Sequence, residues 1–158
     1  MTKWIIILVL TTMNAVAGLS KLEALSMIES GDDDSAIGRF GEVSRFQIRP
    51  EVWRQYSQSS AFANCEVASV VAQKHIDYLE RLFRSRAGRE ATDFDFYVVW
   101  NAGFSYYEKA GFSADRVSRI IRNRARRYTN LRTLPLSQQL VYGSRLAPVA
   151  PPLAASRF

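Results

Sequence analysis

In the stretch ALSMIESGDDDSAIG, Glu29 ends an apolar helical pattern that runs out against Gly31 and three aspartates, Asp32, Asp33 and Asp34. A carboxylate at the C-terminal end of a helix meets the negative end of the macrodipole and unpaired carbonyls, so its ionised form is disfavoured and its pKa rises. Enclosed by apolar and aromatic groups as well, such a glutamate holds a proton near neutral pH and can deliver it to a leaving oxygen, as the acid of a glycosidase does. An exposed glutamate ending a surface helix is the plain alternative. Thiol and hydroxyl nucleophiles are poorly served: Cys65 and His75, the one cysteine and one histidine, lie ten positions apart on one expected helix, about 15 Å, too far to pair. Cys65 is expected as a half-buried structural thiol at the start of that helix. The aspartate run is no EF-hand, because the sixth position counted from Asp32 is Ile37 and not glycine. It reads as a solvated loop whose field discourages ionisation of Glu29 further, with one of its aspartates or Glu42 open as the second carboxylate of an inverting hydrolase.

Helices must position these groups. Leu22, Leu25 and Ile28 follow helical spacing, Ser20 to Glu23 fits a capping box, and Gly31 can close the helix. IGRFGEVSRFQI, with Gly38 and Gly41 as breakers, predicts an irregular loop or small hairpin, and Pro50 suits the first turn of a short helix holding Val52, Trp53 and Tyr56. The longest helix is expected from Asn64, its N-cap, to about Arg86, with Val67, Val71, Tyr78, Leu82 and Phe83 near one face. Another starts near Thr92 and stops at Gly103. Ser113 is expected to cap a last helix with Val117, Ile120, Ile121, Ala125 and Tyr128 facing inward. The fold class is therefore mainly α, with one small β element beside the candidate cleft.

The flanks differ from this body. Lys3, the run WIIILVL and AVA at 15–17 have the layout of a secretory signal peptide removed after Ala17, and the apolar run is too short for the roughly 20 residues of a spanning helix. Export to the periplasm or beyond is the expectation, with residues 18–134 as the domain and 135–158 as a Pro/Ala-rich flexible tail. Charge is uneven: through residue 80 there are 7 Lys+Arg against 10 Asp+Glu, and beyond it 14 against 5. Arg116, Arg119, Arg122, Arg124, Arg126 and Arg127 hold much of that excess, a stripe suited to an anionic polymer. Export argues against nucleic acid, and a solvated face or contact with acidic peptide stems fits better.

Taken in order, Glu29-Ser30, Ser44-Arg45-Phe46-Gln47-Ile48, Val99-Trp100-Asn101-Ala102-Gly103 and Tyr128 resemble the short motifs of the lysozyme-like lytic transglycosylases, over roughly Leu19 to Leu131. The chain departs from that pattern at Ser44, where the family has glycine, at Arg45, where it has an aliphatic residue, and at Trp100, where it has tyrosine. The resemblance implies a lysozyme-like fold and cleavage between N-acetylmuramic acid and N-acetylglucosamine. Glu29 would act as acid and then as base towards the sugar's own 6-hydroxyl, giving a 1,6-anhydro product without a second carboxylate. Ser30 and Gln47 would hydrogen-bond the sugar, Asn101 would fix a turn or a sugar amide, and Tyr128 would sit beside the acid. Phe46 and Trp100 would pack sugar faces, or equally belong to the core. The partner implied is the peptidoglycan glycan strand, with a cell-envelope assembly or secretion apparatus as a further one, and the chain is expected as a monomer without cofactor, metal or nucleic acid. A hydrolase of the same bond, an inactive wall-binding domain and a basic nucleic-acid or membrane binder are the alternatives.

Overall fold

The computed structural model describes residues 18–134; the expected signal peptide (1–17) and tail (135–158) lie outside the described residues. The helices in chain order are α1 (Lys21–Glu29), α2 (Pro50–Trp53), α3 (Cys65–Ala87), α4 (Asp93–Ala102), α5 (Phe104–Lys109) and α6 (Arg119–Thr133), with a single 3-10 turn at Ala114–Arg116 before α6. The described residues are thus mainly α. Among them, no helix is long and apolar enough to cross a membrane.

Local chemistry fixes most helix ends where the sequence places them. Ser20 and Glu23 form the reciprocal capping box of α1, Asn64 accepts from the Val67 N–H at 2.9 Å to start α3, and Gly88 ends α3 at φ +69°. Thr92 and Asp95 form a second capping box on α4. The end of the chain differs from expectation. Ser113 precedes only the 3-10 turn, and Ser118 caps α6 by accepting from the Ile121 N–H at 3.5 Å. Val117 marks the break: its backbone is extended at φ −85°, ψ 140°, and its side chain, only 2% exposed, packs into the core. Helix α5 was not foreseen; it is anchored by Tyr107, which is 1% exposed.

Helix α4 is the centre, with α6, α5 and α3 packed around it and α1 lying against α6 and α3. Phe96, Tyr97, Val98 and Val99 are all buried, the pattern of a helix covered on every side. On α3 the buried stripe runs Ala68, Ala72, Ile76, Leu79, Phe83, at steps of three and four residues. Tyr78 falls off that stripe and is 44% exposed, and on α6 Ile120 is likewise outward at 74%. Cys65, at the first turn of α3, is exposed and not half-buried as expected, because the stripe begins only at Ala68.

One polar cluster ties α4 down. Asp95 is 3% exposed and accepts from both Nη atoms of Arg89 at 2.6 and 3.1 Å, from the Tyr107 hydroxyl at 2.7 Å and from the Thr92 N–H and Oγ1 at 2.9 and 2.7 Å. Burial alone would raise its pKa, but these donors outweigh it and hold the carboxyl down at about 2.

The segment after α1 is a tight reversal. Val43 and Ile48 exchange both backbone hydrogen bonds, at 2.9 and 3.0 Å, and Val43 also bridges Ile37. Between them Ser44 sits at φ +66° and Gln47 at φ +50°. Ser44 thus adopts the left-handed backbone that glycine takes without cost. The Ser30 hydroxyl donates to the Arg45 carbonyl at 2.9 Å and Arg45 Nε pairs with Asp34 at 2.6 Å, so the reversal is fastened to the end of α1. The two ends of the described chain also meet. The Leu19 N–H donates to the Leu131 carbonyl at 3.0 Å and Arg132 Nη1 to the Leu19 carbonyl at 2.6 Å, while a Cβ on Gly18 would lie 2.1 Å from the Arg132 carbonyl oxygen.

Candidate active site

Glu29 is the last residue of α1, and its side chain is 7% exposed at the edge of an open cleft of about 680 Å³. The reversal, the start of α2, one side of α3 and the C-terminal end of α4 wall the cleft. Two helices supply the partners of the carboxylate. From α4, the Tyr97 hydroxyl donates to Glu29 Oε1 at 2.6 Å. From α6, Arg124 Nη2 donates to Oε2 at 2.8 Å, while Arg124 Nε donates to the Tyr97 hydroxyl at 2.9 Å. The three side chains form a closed ring, and Arg124, 36% exposed, is its one member with substantial access to the cleft.

Burial is the largest influence on Glu29 and pushes its pKa up. The Arg124 charge and the hydrogen bonds from Tyr97 and Arg124 pull it back in part, and the Glu42 carboxylate across the cleft adds to the rise. The direction is the one the helix-end position predicts, but the enclosure does most of it. The aspartate run contributes little because its charges are engaged elsewhere: Asp32 accepts from Ser26 and lies beside Arg45, Asp33 bonds Ser35, and Asp34 pairs with Arg45. None of the three lines the cleft; of the carboxylates left open as a second acid or base, Glu42 alone does.

Gln47, Trp100 and Asn101 line the same cleft. Gln47 Nε2 is spent on the carbonyls of Ala36 and Ser44, at 3.3 and 3.1 Å, and its Oε1 lies against Gly38. Gly38 admits this arrangement: a Cβ there would lie 2.5 Å from Gln47 Oε1 and 2.3 Å from Glu42 Oε2. Three expected contacts are elsewhere. Ser30 is used between α1 and the reversal, Phe46 is 1% exposed under the reversal and offers no face to a sugar, and Tyr128 is fully buried. The Tyr128 ring stacks on Tyr97 with centroids 5.2 Å apart, and its hydroxyl reaches only the Lys21 carbonyl at 3.4 Å. The tyrosine beside the acid is Tyr97, and the α6 residue beside it is Arg124, one turn before Tyr128. Tyr128→Phe should therefore cost no more than about 1 kcal/mol of stability by urea denaturation and leave any activity unchanged. A large activity loss with an intact fold would restore Tyr128 to the site.

Sequence reasoning also passed over His75 as a cleft residue. It lines the cleft with Nδ1 3.1 Å from the Tyr56 hydroxyl, stacked on Tyr78 and packed against Trp100. Burial lowers its pKa to about 4, so it is a neutral hydrogen-bonding group at ordinary pH. Its place on α3 one residue before the buried Ile76 was the available signal.

The site therefore combines an enclosed carboxyl, pushed up by burial and held by Tyr97 and Arg124, with a cleft carrying amide, imidazole and indole groups. Comparisons with protein-family models, with curated proteins and with solved structures found no match to this chain.

Proposed function

We propose that this chain is an exported, lysozyme-like enzyme that cleaves the β-1,4 bond between N-acetylmuramic acid and N-acetylglucosamine in peptidoglycan by the lytic transglycosylase route. The observation that carries the reading is Glu29, a carboxyl buried at a helix end, raised by that burial and opening onto the cleft that holds Gln47, Trp100 and Asn101. Glu29 gives its proton to the glycosidic oxygen as the bond to C1 breaks, and charge builds on an oxocarbenium-like centre. The resulting carboxylate, held by Tyr97, then takes the proton of the substrate's 6-hydroxyl as that oxygen closes on C1. Neither metal nor cofactor enters these steps. The partner is the glycan strand, met by a monomer in the cell envelope.

Glu42 favours a second reading, hydrolysis of the same bond, since it faces the same cleft and could activate a water. Mass spectrometry of the soluble products from purified sacculi separates the two. Anhydro-muropeptides released equally by the wild type and Glu42→Gln are expected. Reducing-end products that vanish in Glu42→Gln would establish the hydrolase, and no product at all would remove both readings.

A further inference from the structure

Both oxygens of Glu29 are occupied by donors, Tyr97 on Oε1 and Arg124 on Oε2, an arrangement that suits a carboxylate and not an acid about to give up a proton. Tyr97 cannot leave: it is fully buried and stacked on Tyr128. Arg124 can, being partly exposed on the cleft side, and Arg39 and Arg49 line the same cleft and add positive field there. Arg39 has no ion-pair partner among the described residues, and Arg49 lies 3.6 Å from Glu51 with most of its side chain in solvent. An anionic group entering this cleft finds Arg124 as the cation nearest the reacting carboxyl.

We propose that Arg124 is a ligand-responsive clamp on Glu29: it keeps the carboxylate paired in the empty cleft, and a carboxylate-bearing saccharide draws the guanidinium away so that Glu29 takes up a proton from solvent. The inference rests on the reading of Glu29 as the acid, and it makes Arg124 a positioning residue that selects anionic glycans over neutral ones. The groups facing Glu29 from the elements packed on it are Tyr97 of α4, Arg124 of α6 and Glu42 of the reversal. With Arg124 withdrawn, burial and Glu42 both favour the protonated form, and the hydrogen bond from Tyr97 alone opposes it.

The test follows the Glu29 carboxyl by carbon-13 NMR titration of the full chain, which needs no turnover. Arg124→Leu should move its midpoint to higher pH and Arg124→Lys should leave it near the wild-type value. Saturating muramyl dipeptide, a carboxylate-bearing saccharide, should move the wild-type midpoint upward, and tri-N-acetylchitotriose, which is neutral, should not. An unmoved midpoint with the dipeptide, failure of the dipeptide to bind, or an equal response to both ligands overturns the clamp. On sacculi at limiting substrate, where the free enzyme's titration governs the rate, the alkaline limb of Arg124→Leu should lie at higher pH than that of the wild type. A wild type that titrates as described but releases no product would refute the proposed function and leave the clamp standing.

Discussion

Glu29→Gln is expected to lower release of soluble muropeptides from purified sacculi by about 10³-fold, the scale of losing a general acid and base together, with the fold intact. The amide keeps the shape and still offers an oxygen to Tyr97 or Arg124, but it has no proton to give. The same variant makes an unusual stability prediction. A group whose pKa is raised on folding contributes stability that is full below its unfolded value, 4.5 for this glutamate, and is lost as pH rises through the folded value. The neutral amide suffers no such loss. Glu29→Gln should therefore melt above the wild type at neutral pH and converge with it below pH 4.5. A calorimetric scan in which the variant melts lower at neutral pH would mean that the Arg124 pairing, and not burial, governs the carboxyl.

The second large effect lies away from the cleft. Asp95→Ala removes the acceptor of Arg89, Tyr107 and Thr92 at once, leaving the buried Tyr107 hydroxyl unpaired and the α4 capping box without its return bond to the Thr92 N–H. A loss of about 3 kcal/mol is expected in urea denaturation at pH 7, within the range for breaking a buried charged network. Its pH dependence has the opposite sign to that of Glu29. Asp95 is lowered from 3.8 to about 2, so its contribution is present above 3.8 and is lost as pH falls through 2. That interval is worth about 2 kcal/mol. Measured from pH 5 down to pH 2, the wild type should lose stability faster than the variant. Parallel curves would show that the network is not ionised as described.

What was legible in the sequence was local. The capping box at Ser20, the Asn64 cap, the helix start near Thr92 and the glycine stop at Gly88 depend on neighbours within four residues, and each is where the sequence puts it. Glu29 was legible for the same reason, since a helix end and a glycine announce it. Its partners were not, because Tyr97 and Arg124 reach it only through the packing of α4 and α6 across α1, 68 and 95 residues along the chain. Arg124 was also hidden among other arginines, though it sits one turn before the buried Tyr128 and so shares its face. Phe46 and Trp100 are both aromatics within motif segments, and only the third dimension separates the buried one from the one on the cleft.

The seam between Leu19 and Leu131 has a mechanical consequence. Because residues 18 and 134 leave the body side by side, anything that holds the chain at either flank acts at one point, and a pull there meets the Leu19–Leu131 and Leu19–Arg132 hydrogen bonds before it reaches α1, which ends at Glu29, or α6, which carries Arg124. The domain would swing from such a fastening as a whole, like a weight on a single hook. Gly18 keeps that hook closed, since any larger residue at this position would push the first strand of chain off the last turn of α6.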